Sequence, residues 1–191
     1  MSEFTDTLTD KHIEMIGRQP VFFVATAAPD GRINLSPKGY DAFRVLSSSQ
    51  VAYLDLGGSG NETQAHLAAQ QTDAGRITIM FCNFDRPAMI NRIYGKGRAV
   101  LPQDADWEAV AQHFNLMPGT RQIFIIDVES VQSSCGWAVP FMSLHSERDT
   151  LTKYHAVQDP IKQMERLKEH THSIDGLPLR VQTSMPYDDH A

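Results

Sequence analysis

Apolar and polar positions along this chain alternate in short runs that read as a succession of strands with few helices between them. Val21–Ala27 is rich in β-branched and aromatic residues, as half-buried strands are. Arg32–Lys38, Phe43–Leu46, Val51–Leu56, Arg76–Phe84, Ile93–Leu101 and Gln122–Val131 continue the series. Pro29-Asp30-Gly31 separates the first two runs with strong turn chemistry, because proline presets φ and glycine accepts a positive one. Gly95-Lys96-Gly97, inside a strand run, predicts a bulge or a close backbone approach.

Helical spacing occurs in four places. Asp10–Ile16 predicts a short helix capped by Asp10 and ended at Gly17. Ser59-Gly60-Asn61-Glu62 fits the S-x-x-E capping box and predicts a helix running through Ala69. Asp104–Phe114 repeats Trp107, Val110, Ala111 and Phe114 on one face. Thr152–His170 reads as a further helix, within which Asp159-Pro160 offers a fresh start. From Thr171 the tail is turn-rich and predicts a partly extended path over the surface. Strands that follow one another without alternating helices predict a mainly β architecture: an antiparallel barrel with peripheral α-helices.

Composition narrows the class. The 191 residues, 41% hydrophobic and 21% charged, fit one globular domain with a core over about residues 18–142 and a C-terminal helix and tail over 150–191. A formal charge of −6 argues against nucleic-acid binding by bulk electrostatics. Apolar runs are far too short for a membrane span, and the start has no basic and apolar leader pattern. Cys82 and Cys135 make no disulfide framework, which together with the rest predicts a cytoplasmic protein.

Candidate chemistry concentrates between Phe22 and Glu62. Arg32, Asn34, Ser36 and Lys38 alternate along one strand, with Leu35 between them, and Ser59, Gly60, Asn61 and Glu62 open a helix. Cations on a strand beside a loop with unpaired N–H groups suit a phosphate. The same alternation also describes a solvated edge strand, and S-x-x-E describes simple helix capping. Trp137, in SCGWAVPFM, reads as an aromatic wall or as an anchor in a subunit interface. Cys135 reads as a small buried residue, and His66 as a helix-surface residue. Scattered histidines show no metal-ligand spacing, and no acid–base or nucleophile constellation marks a catalytic residue.

Four blocks carry a likeness to a known family: FFVATAAPDGRINLSPKG (Phe22–Gly39), YLDLGGSGNETQAHL (Tyr53–Leu67), FDRPAMINRIYGKGRAV (Phe84–Val100) and SCGWAVPFM (Ser134–Met142). The chain resembles the pyridoxamine 5′-phosphate oxidase-like, FMN-binding split-barrel flavoproteins. The resemblance implies a six-stranded antiparallel split barrel that forms a homodimer with FMN at the subunit interface. Arg32, Asn34, Leu35, Ser36 and Lys38 of the strand, Ser59, Gly60, Asn61 and Glu62 of the loop, and Trp137 would then contact the cofactor. The oxidases of pyridoxamine phosphate carry a Ser-Arg-Lys run at the loop, where this chain reads Ser59-Gly60-Asn61 without a cation. That departure argues against pyridoxamine-phosphate oxidation and leaves F420 or haem as alternatives to FMN. The implied activity is a flavin-dependent oxidoreductase acting on a small molecule. The rivals are a non-catalytic binder of flavin or another planar cofactor, and a barrel kept as a dimer scaffold.

Overall fold

The structure, a computed structural model, describes residues 2–70 and 74–186. Among the described residues eight strands occur: β1 (Glu3–Thr5), β2 (Phe22–Ala27), β3 (Ile33–Lys38), β4 (Phe43–Ser47), β5 (Gln50–Leu56), β6 (Gly75–Cys82), β7 (Met89–Val100) and β8 (Thr120–Cys135). The helices are α1 (Asp10–Gly17), α2 (Glu62–Ala68), α3 (Trp107–Ala111), α4 (Thr150–Ala156) and α5 (Pro160–Glu169). The strands join in one antiparallel sheet of order β3-β2-β6-β7-β8-β5-β4, with β1 added to β8. This is the mainly β, antiparallel barrel architecture expected, with more strands than the six anticipated.

Inward positions follow the pleat. Phe22, Val24 and Thr26 of β2 are buried while their neighbours are only half covered. Side chains from distant strands meet inside: Phe22 and Phe43 lie 5.1 Å apart edge to face, and Phe43 reaches Phe81 at 5.0 Å. Tyr53 stacks on Phe124 at 4.9 Å, and both are fully buried. These contacts draw β4 back towards β2 and roll the sheet. The predicted irregularity at Gly95 is a register shift between Tyr94 and Gly95 on β8. A Cβ at Gly95 would lie 2.2 Å from the Asp127 carbonyl oxygen, so only glycine permits that approach.

Element ends differ from the sequence pattern for local reasons. Thr9, rather than Asp10, caps α1, in a capping box completed by the side chain of His12. The expected capping box at Ser59 is absent: Asn61 precedes α2 without a side-chain cap, and its amide is turned to Gln122. The C-terminal segment takes the fresh start offered at Asp159-Pro160 and forms two helices, because Asp159 caps α5 through Ile161 N at 2.9 Å with Pro160 in the first position. The tail is extended, as anticipated, and its last five residues lie outside the described residues. Strand β8 runs on to Cys135 because the polar residues beyond Val131 still pair with β7, and Cys135 is exposed rather than buried.

Candidate functional site

The loop from Gly57 to Asn61 rests on a buried charged cluster. Asp55, near the end of β5, is almost wholly buried and accepts from Lys38 Nζ at 2.8 Å. Arg121, at the start of β8, donates to Asp55 Oδ2 from Nε at 3.1 Å and Nη2 at 2.7 Å. Its Nη1 donates to the Gly60 carbonyl at 3.0 Å, tying the loop to the barrel. Gln122 Nε2 donates to both Asp55 Oδ2 and Asn61 Oδ1, at 2.9 and 2.7 Å. Gln64 of α2 donates to Gln122 Oε1 at 2.7 Å and accepts the backbone N–H of Arg180 at the same distance. Burial opposes the charge on Asp55, but Arg121 and Lys38 overcome it and hold its pKa far below the ordinary carboxylate range. Two cations therefore share one carboxylate, and the cluster keeps an excess positive charge.

The remaining expected residues lie at several places around this cluster. Asn34 Nδ2 donates to Thr26 Oγ1 at 3.1 Å and to Thr63 Oγ1 at 3.0 Å, and Ser36 Oγ donates to Asn34 Oδ1 at 3.0 Å. Together they seal β3 to β2 and α2. Arg32 is paired with Asp175 of the tail, which also accepts the Arg32 backbone N–H at 2.8 Å. Glu62 Oε1 accepts the backbone N–H of Ile174 at 3.0 Å. His66 is not on the helix surface: it is 1% exposed and its Nδ1 lies 3.2 Å from Thr26 Oγ1. Ser59 and Leu35 are exposed, and Trp137, at 87% exposure, stands clear of the cluster. Arg92, on β7, donates to Ser134 Oγ at 3.1 Å.

Two grooves flank the cluster. The larger, about 740 Å³, runs from Lys38 and Tyr40 past Phe84 to Met142 and Arg148. The second, about 420 Å³, is a seam between the Gly57–Ser59 loop and helices α4 and α5. His155 of α4 closes one end, its Nε2 2.7 Å from the Gly57 carbonyl oxygen. A carbonyl only accepts, so Nε2 carries the proton. Arg121, Tyr154, Arg166 and His170 also line the seam.

Sequence reading placed the loop and the strand but overlooked Asp55, Arg121 and Gln122. The signal was present: Asp55 is a lone charge in an otherwise apolar strand, VAYLDL, and such a charge needs a buried partner. The contribution of α4 and α5 to the seam has no local signature, since it depends on where the C-terminal segment docks.

The sequence model of the family described as pyridoxamine 5′-phosphate oxidase matches residues 8–135. The chain belongs to this family. Its relatives include the pyridoxamine 5′-phosphate oxidase family protein ustO of Aspergillus flavus, 39% identical over 155 residues. That match covers 78% of this chain but 61% of ustO, so the chain spans less than two thirds of its relative's length. Among solved structures, HupZ of Group A Streptococcus is 25% identical with a TM-score of 0.50, covering 65% of this chain and 91% of HupZ. A Lactobacillus delbrueckii protein with the same family description gives a TM-score of 0.52 at 15% identity, covering 66% of this chain and 94% of its own. At that identity the likeness concerns the fold alone. The matched span of the family model ends at Cys135, and α4, α5 and the tail lie beyond it.

Proposed function

We propose that the chain is an FMN-dependent oxidoreductase of this family that works as a homodimer on a small-molecule substrate. The observation that carries the reading is the cluster beneath the Gly57–Asn61 loop, where Lys38 and Arg121 share Asp55 and leave one positive charge in excess. This donor set fits an anionic cofactor: Lys38 uses one ammonium hydrogen on Asp55, and the Arg121 guanidinium borders the seam. When bound, the flavin supplies the hydride or electron transfer. The chain's own residues bind and orient it: Lys38 and Arg121 provide charge, and Asn34 and Ser36 keep β3 fixed against α2.

Dimerisation is supported by an unpartnered apolar surface. Ile33 and Leu35 on the edge strand β3 are 77% and 66% exposed, and Phe141 and Met142 beyond β8 are similarly open. The exposed, unpaired Cys135 favours a reducing, cytoplasmic setting.

The visible spectrum of freshly purified protein, with mass spectrometry of what denaturation releases, tests the cofactor. An oxidised-flavin spectrum with an FMN mass is expected, together with a dimer mass by light scattering. A colourless protein that takes up no added FMN would overturn the reading.

A further inference from the structure

The loop at Ser59-Gly60-Asn61 has no cation of its own. Arg32, just before β3, is already paired with Asp175, which meets its side chain and its backbone N–H. The positive charge beside the loop comes from a different direction. Arg121 and Arg166 border the seam between the Gly57–Ser59 loop and helices α4 and α5, beside the imidazoles of His155 and His170, and among the described residues no carboxylate side chain lines it. That is unusual in a chain of formal charge −6. The larger groove mixes Arg18, Lys38 and Arg148 with Asp85 and Glu147, and a third groove is lined by Arg76 and Glu129 together.

Arg166 is positioned without being neutralised. Its Nη1 donates to Tyr154 Oη at 3.1 Å and to Gln158 Oε1 at 3.0 Å, both uncharged acceptors. Such a guanidinium keeps its full charge and its remaining N–H groups for an anion, in the fork geometry that suits phosphate. Across the seam, Arg121 directs three N–H groups to Asp55 and Gly60, which fixes its plane and leaves N–H groups over. His155 fastens α4 to Gly57, and its Nδ1 is buried without a partner among the described residues. The seam thus has the charge and the donors of an anion site.

We propose that the phosphate of the flavin is held in this seam, with Arg166 of α5 supplying the cation that the loop lacks and Arg121 the second. This rests on the flavin reading above and deepens it. The C-terminal helices, beyond the residues matched by the family model, then complete the cofactor site in the same chain.

The test compares FMN with riboflavin, which differ only in the phosphate, by quenching of flavin fluorescence on the full chain. Arg166→Gln should weaken FMN about tenfold or more and leave riboflavin binding unchanged. Arg166→Lys should recover part of the loss, and unchanged circular dichroism in both variants secures that α5 is intact. If instead Arg32→Gln removes the preference for FMN and Arg166→Gln does not, the phosphate lies on β3 and the proposal fails while the flavin reading stands. If neither flavin binds, titration with inorganic phosphate decides the seam by itself. Binding that is lost in Arg166→Gln keeps the anion site and ends the flavin reading, and no binding ends both.

Discussion

Asp55 Oδ2 receives two N–H groups from Arg121, at 3.1 and 2.7 Å, with both side chains less than a tenth exposed. A buried carboxylate is tolerable only because this fork and Lys38 meet it, and a buried guanidinium only because Asp55 does. Asp55→Asn keeps the shape and removes the charge, leaving two cations facing a neutral amide. We expect a loss of about 3–5 kcal/mol in urea unfolding at pH 7. The pH dependence has a definite sign. The folded pKa of Asp55 is depressed, so its contribution is complete above the unfolded value of about 3.9 and fades as pH falls below it. The gap between wild type and variant should therefore be constant from pH 7 to 5 and narrow below pH ~4. A gap that narrows already at pH 6 would assign the effect to another group.

Gly119 has φ +89, and a Cβ there would sit 2.2 Å from Cδ2 of His155. Gly119→Ala thus meets two penalties, an unfavourable backbone conformation of about 1–2 kcal/mol and a collision with the residue that anchors α4. The His155 ring must leave the Gly57 carbonyl. We expect faster proteolysis within Thr150–Glu169, with the barrel itself protected from hydrogen exchange. Uniform loss of protection across β5 and β8 would instead place Gly119 in the barrel's cooperative unit.

His12 links α1 to the sheet: Nδ1 accepts the Thr9 N–H at 3.1 Å, and Nε2 lies 2.9 Å from Ser133 Oγ, which donates to Asn91. This geometry uses the neutral imidazole with its proton on Nε2. Burial lowers the His12 pKa, with Glu3 opposing only in part. The unfolded chain therefore binds the proton more readily, and stability falls as pH drops below the ordinary imidazole value of about 6.5. Between pH 7.5 and 5.5 the wild type should lose more stability than His12→Gln, as read from urea midpoints. Parallel losses in the two proteins would refute the assignment.

How far the sequence reached follows from what each residue's pattern encodes. Periodicity placed β2 to β8 because their inward positions alternate or run apolar, as in Phe22, Val24 and Thr26 or Val51 to Leu54. It missed β1, whose Glu3-Phe4-Thr5 carries no such pattern and is a strand only because β8 offers an edge. The alternation of Arg32, Asn34, Ser36 and Lys38 was legible, but their partners Asp175, Thr63 and Asp55 stand 143, 29 and 17 positions away. Short-range patterns carry no information on such pairings. His66 is the same case: helical spacing gave its element, and only tertiary packing against Thr26 decided that it is buried.

Asp175 and Arg32 form the outermost of the contacts that strap the tail to the barrel, and their removal should separate local from global stability. The pair is largely solvated on the Arg32 side, so its net worth to the whole fold is small. Further along, the strap is held differently: Leu179 and Gln182 are buried, the Arg180 N–H is bound by Gln64, and the Arg180 guanidinium reaches the Ala99 carbonyl at 3.2 Å. Asp175→Asn should therefore leave the urea midpoint almost unmoved while proteinase K nicks residues 171–177 sooner than in wild type. Residues 179–182 should resist as before, because their burial does not depend on Asp175. A midpoint falling as far as in Asp55→Asn would mean that the turn at Asp175 folds with the core, and that the strap is part of the barrel and not an addition laid across it.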